Sequence, residues 1–160
     1  MSLTDSTARS THSDAIEWMS ATEIVESIAT RELSPVEVAR SMIERIEQVD
    51  RAVHAFVHHD AEQVVADARR AERAVSSGGD LGPLHGVPYT VKDLQDVAGV
   101  PTTMGVPFMA DNVAPHSDVG TRRLQDAGGL FLGKTNPPEF GWRGLCDNHL
   151  HGPTYNPWDQ

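Results

Sequence analysis

Apolar residues recur at helical spacing through the first half of the chain and in short extended runs through the second. Ile24, Val25, Ile28 and Ala29 fall on one helical face. Ser20 precedes them with Glu23 three residues on, the pattern of a capping box. A second stripe of Ala39, Met42, Ile43, Ile46 and Val49 has a firmer start: Ser34 as cap, Pro35 at the first helical position and Glu37 three after the cap. Val53-His54-Ala55-Phe56-Val57 reads as a short strand. Asp60 then caps a third helix with Ala61, Val64, Val65, Ala68, Ala71 and Val75 on one side, stopped by Ser76-Ser77-Gly78-Gly79. These stripes predict core packing. The first dozen residues are polar and predict a loose segment.

The pattern changes near Gly82, where glycine and proline become frequent. Tyr89 to Val91 predicts a strand. His116-Ser117-Asp118 opens a helix carrying Val119, Leu124 and Ala127, closed by Gly128-Gly129, and Leu130-Phe131-Leu132 predicts another strand. Strand, helix, strand in this order predicts a right-handed parallel crossover. From Asn136 onward the chain reads as loop, with Pro137, Pro138, Pro153 and Pro157. The fold class is therefore α/β: a helical layer over 1–81, then part of a mixed sheet flanked by helices over 82–160, within one domain.

Composition narrows the function classes. The chain has 160 residues, one domain's worth, with 39% hydrophobic and 22% charged residues. No run of about 18 apolar residues predicts a membrane span. The start, Met1-Ser2-Leu3-Thr4-Asp5-Ser6, lacks the basic and apolar regions of a signal peptide. Cys146 is the single cysteine, which suits a reducing cytoplasm. Net charge is −10, and no Lys/Arg stripe is present, so neither nucleic acid nor anionic lipid is an expected partner. The interspersed charges of Glu62, Asp67, Arg69, Arg70, Glu72 and Arg73 read as a solvated helix face.

Lys92 is the main candidate for chemistry. It ends the apolar run Gly86-Val87-Pro88-Tyr89-Thr90-Val91. Strand alternation sends Thr90 and Lys92 to one face and Tyr89 and Val91 to the other. The carboxyl end of a parallel strand is where open α/β sheets place ligands. A buried amine is disfavoured as ammonium and, when neutral, accepts a proton from a serine hydroxyl. The ordinary alternative is a structural lysine paired with Asp93 or reaching solvent.

Three other constellations carry dull alternatives. Gly128-Gly129-Leu130-Phe131-Leu132-Gly133-Lys134-Thr135 matches the phosphate-cradling P-loop letter for letter. A P-loop, however, needs a strand before its first glycine and a helix opening at Lys-Thr. Here a helix precedes, an apolar strand fills the interval, and Pro137-Pro138 blocks a following helix. His149 and His151, with Cys146 and Asp147 nearby, are zinc-like ligand types without a standard zinc spacing. Cys146 has no evident base partner in sequence and reads as a plain thiol.

The ordered set of motifs from Ser34 onward resembles the amidase-signature family. It comprises Ser34-Pro35-Val36-Glu37, Leu84-His85-Gly86-Val87-Pro88, Lys92-Asp93, Asp96-Val97-Ala98-Gly99 with Pro101-Thr102-Thr103, Gly133-Lys134-Thr135-Asn136 with Pro138-Glu139-Phe140, and Asn156-Pro157-Trp158-Asp159. The resemblance implies a serine hydrolase of small-molecule amides that uses a nucleophilic serine, a second serine in a cis peptide and a lysine, with no metal or organic cofactor. It assigns the lysine to Lys92. It places Gly141 and Trp142 beside the acyl pocket; the ordinary alternative is that Trp142 only anchors its loop. In the family pattern both serines lie in a Gly/Ser-rich segment shortly after Asn-Pro-Trp-Asp, so the resemblance implies that 1–160 is the amino-terminal portion of one amidase domain. Its expected partner is then the carboxyl-terminal part of that domain, and the expectation is that the chain alone is inactive and self-associates. The alternative is a non-catalytic, enzyme-derived fragment that serves as an interaction module.

Overall fold

The structure, a computed structural model, describes residues 16–158. The polar start and the closing Asp159-Gln160 lie outside the described residues. In chain order, helix α1 spans Ala21–Ala29, α2 Pro35–Val53, α3 Ala61–Ser76 and α4 Val119–Asp126; the strands are β1 Phe56–His58, β2 Pro88–Lys92 and β3 Leu130–Thr135.

Local chemistry explains where the first helices begin. Both expected capping boxes form: Ser20 with Glu23 on α1, and Ser34 with Glu37 on α2, where Pro35 occupies the first turn. Asp60 caps α3 by accepting from Gln63 N at 2.9 Å. Asp118 stands at the start of α4 but does not cap it. Its carboxylate accepts from Asp96 N instead, and Ser117 accepts from Ala98 N, so these residues hold a neighbouring loop.

One expectation is corrected at β1. The strand begins at Phe56, not Val53, because α2 runs on to Val53 and His54 ends it in the left-handed conformation. The Asp50 carboxylate accepts from Ala55 N and Phe56 N, which turns the chain out of the helix.

The sheet has the order β1-β3-β2, with β2 parallel to β3 and β1 antiparallel to it. The connection β2–α4–β3 is thus the expected parallel crossover. A bulge in β3 leaves Leu132 without a register partner between the Tyr89–Phe131 and Thr90–Gly133 pairs. Two apolar clusters fix the layers. Ile24, Ile28, Leu33 and Val38 pack α1 against α2. Ala39, Val64, Ala68, Leu130 and Leu132 clamp α2 and α3 onto β3. Full burial of each leucine or valine there contributes about 1.5–3 kcal/mol. The result for function is positional. Lys92 and Thr135 are register partners, so β2 and β3 deliver their carboxyl ends to one rim of the sheet.

Candidate active site

Lys92 stands at that rim. Its side chain is partly buried, and its amine donates to Asn136 O at 2.8 Å and contacts Cys146 Sγ at 3.1 Å. It does not pair with Asp93. Successive residues of an extended chain point opposite ways, and Asp93 turns inward to the other lysine.

That second lysine is Lys134, and it is fully buried. Its amine meets Asp93 Oδ1 at 3.0 Å, Thr102 Oγ1 at 3.0 Å and Pro101 O at 3.2 Å. Asp93 is equally buried and also accepts from Thr103 N and the Thr103 hydroxyl. A buried ion pair needs such extra hydrogen bonds to offset the desolvation of both charges. This cluster ties the end of β2, the body of β3 and the 101–105 loop into one unit. It also closes the P-loop reading. Lys134 is the penultimate residue of β3, with no free amine to offer a phosphate, and Gly133 is a packing glycine. A Cβ at Gly133 would lie 2.2 Å from His58 O on β1.

The loop after β3 is fastened by asparagines. Asn136 Nδ2 donates to Gly152 O and Thr154 Oγ1. Asn148, buried, donates to Asn136 Oδ1 at 2.7 Å and Pro137 O at 2.8 Å, and accepts from Leu150 N and His151 N. Thr154 N donates to Cys146 O at 2.8 Å. These bonds carry Cys146 back to Lys92. The expectation that Cys146 lacks a base neighbour is therefore corrected: 54 residues separate it from Lys92 in sequence, and loop folding closes that gap.

His151 joins the same region, with Nε2 3.0 Å from Thr103 Oγ1 and 3.9 Å from Asp93 Oδ2. Burial pulls its pKa below the usual histidine value, and the Asp93 charge opposes this in part. His58, on β1, is lowered in the same way, chiefly by burial. Among the described residues no group of three or more His, Cys, Asp or Glu side chains could hold a metal ion. No helix of the described residues is long and apolar enough to cross a membrane.

Gly141 and Trp142 lie on the short turn Glu139–Gly141 and just after it. Gly141 has φ +72°, and a Cβ there would lie 2.7 Å from Leu94 Cδ1. The glycine thus lets the turn lie against the residue two beyond Lys92. Trp142 is 72% exposed, with the Arg143 guanidinium 5.6 Å from its ring. Together with Asp147, Asn148 and His149 it edges a cleft of about 200 Å³. Broader clefts run between α2 and α3 and beside β1, away from Lys92. Both parallel strands end at the rim, the position at which open α/β sheets present ligands.

Sequence pattern alone points to Lys92 and passes over its partners. One signal was present: the chain has only two lysines, Lys92 and Lys134, among 13 basic residues. Both are at this rim, one with its amine at the mouth and one locked inside.

Comparison with known proteins identifies the family and the fold. The family model described as Amidase matches residues 37–160. An acylamidase of Rhodococcus erythropolis is 53% identical over 143 residues, covering 89% of this chain and 30% of that protein. A glutamyl-tRNA(Gln) amidotransferase polypeptide of Streptomyces coelicolor is 42% identical over 141 residues, covering 88% of this chain and 28% of that one. Among solved structures, a bacterial aryl acylamidase of the amidase signature family matches with TM-score 0.83 and 36% identity, over 89% of this chain and 30% of that one. A fatty acid amide hydrolase matches with TM-score 0.87 and 26% identity, over 91% and 26%. The chain spans about 30% of the length of the relatives it matches.

Proposed function

The chain belongs to the amidase-signature family, and on that premise we propose that it supplies the general base of an amide hydrolase. The observation that carries the reading is Lys92 itself. Its amine sits at the carboxyl end of a parallel strand, held by a carbonyl and a thiol, while the adjacent carboxylate is spoken for by Lys134. A base so placed is available to a hydroxyl arriving at the rim.

The reaction then runs as family membership suggests. Lys92 takes the proton of the cis serine, which takes that of the nucleophilic serine. The nucleophile adds to the amide carbonyl, backbone N–H groups hold the oxyanion, the amine leaves with a proton, and water releases the acyl group. The residues of 1–160 contribute the lysine and its supports; the two serines belong to the family segment that follows Asn156-Pro157-Trp158-Asp159. Gly141 and Trp142 border the acyl group, and the site works without metal or organic cofactor. The single cysteine suits a cytoplasmic enzyme.

The test joins this chain to the remainder of the Rhodococcus erythropolis acylamidase and assays a simple aryl amide. Residues 1–160 alone are expected to turn nothing over. The joined protein is expected to hydrolyse the amide, and Lys92→Ala is expected to lower kcat by about 10³- to 10⁴-fold, the scale of losing a member of a catalytic triad. Turnover by 1–160 alone, or full activity in Lys92→Ala, refutes the reading.

A further inference from the structure

We propose that Cys146 is a positioning residue for Lys92: its sulfur and the Asn136 carbonyl form a two-point cradle that aims the lysine amine. A lysine side chain carries several rotatable bonds and its amine turns freely about the last of them. At this rim two partners restrain it, Asn136 O at 2.8 Å and Cys146 Sγ at 3.1 Å. The count of hydrogens matters. An amine acting as a base is in its neutral form, with two N–H donors and one lone pair. A carbonyl and a thiol sulfur, the latter a weak acceptor, engage both donors. The lone pair is then left for the one task a base has, to take a proton. A cradle with one arm lets the amine rotate and spreads that lone pair over many directions.

Both arms are built rather than incidental. Asn136 N is tied to Ala55 O at 2.8 Å, next to the start of β1. Its side chain is shared among Gly152, Thr154 and Asn148. Cys146 is fixed by the Thr154 N–H on its own carbonyl and by buried Asn148 two residues on. A free cysteine held by its neighbours against the free amine of the site is a support for that amine. The proposal rests on the reading of Lys92 as base only for its kinetic consequence; the geometry is separate.

The experiment exploits the presence of only two lysines. Lysine labelled with ¹³C at Cε in the 160-residue chain, kept dilute and at low salt where its net charge of −10 holds copies apart, gives two resonances, with Lys134 as an internal report on folding. In the native chain the two Hε protons of Lys92 are expected to be inequivalent, as in a held side chain. Cys146→Ala is expected to merge them while Lys134 stays as it was, and Cys146→Ser, which keeps an acceptor, to restore the splitting. In the joined enzyme Cys146→Ala is expected to lower kcat about tenfold with KM within twofold, and Cys146→Ser to recover most of it. Merged Hε protons of Lys92 in the native chain overturn the proposal, whatever the variants do. So does a split that survives Cys146→Ala. Activity that ignores Lys92→Ala sinks instead the reading of Lys92 as base and leaves the resonance test standing.

Discussion

Asp93 and Lys134 each expose about 1% or less of their side chains, and neither charge would be tolerated there alone. We expect Lys134→Met to destabilise the chain by about 3–5 kcal/mol, because it leaves the Asp93 carboxylate buried without its cation. Adding Asp93→Asn should recover a good part of that loss. Urea unfolding of the two single variants and the double variant measures the coupling, and strict additivity would mean that the pair does not act as a unit. The pair shows why residue-level reading of sequence falls short. Asp93 follows Lys92 directly, so adjacency suggests that they bind each other. Pleating sends the two side chains apart, and the partner Asp93 finds, Lys134, lies far downstream on β3. The place of Lys92 at the end of β2 was legible from the strand pattern. Its contact with Cys146 was not, since Cys146 reaches it only through the fold of a loop that has no periodicity to read.

Helix starts on α1 and α2 were legible to the residue, because a capping box is a local chemical event that needs only four consecutive positions. The end of α2 was not. His54 terminates it in a left-handed conformation that glycine or asparagine usually takes, and the β-rich composition of Val53 to Val57 points to a strand instead. The parallel crossover was read correctly from element order, while the bulge at Leu132 leaves only one mark in sequence, the glycine beside it. Gly133 illustrates how an element-level constraint can masquerade as a motif. It completes the letters of a P-loop, yet its role is to let β1 approach β3. We expect Gly133→Ala to cost about 1–3 kcal/mol through forced separation of these strands. Loss of protection at the backbone N–H groups of β1 in hydrogen exchange, with β2 unaffected, would locate the damage. An unchanged unfolding midpoint would show that so close an approach is not needed.

Across the whole molecule, apolar exposure and charge oppose each other. Phe108, Phe140, Trp142 and Leu145 are all more than half exposed, with the Phe108 and Phe140 rings 6.2 Å apart. Large apolar side chains gathered near the rim of a three-stranded sheet are the kind of surface that proteins cover. The sheet adds a second liability, for β1 and β2 form its two edges. Such edges offer unpaired backbone groups to another chain. Against this stands a net charge of −10, which makes copies repel. Charge repulsion is screened beyond about 10 Å at 0.1 M salt and beyond about 3 Å at 1 M, while apolar attraction is not weakened by screening. We therefore expect the 160-residue chain to self-associate, and to do so more strongly as sodium chloride rises. Sedimentation velocity should show the weight-average mass climbing with salt, together with binding of a dye that reports apolar surface. Phe108→Ser with Trp142→Ser should suppress both. Supplying the remainder of the Rhodococcus erythropolis acylamidase as a separate chain should suppress them too, if that portion covers the same rim. The opposite salt dependence would assign association to ion pairs rather than to the apolar rim. A monomer silent to the dye at every salt concentration would mean that these aromatics are tolerated singly, and that the 160 residues fold as a self-sufficient unit.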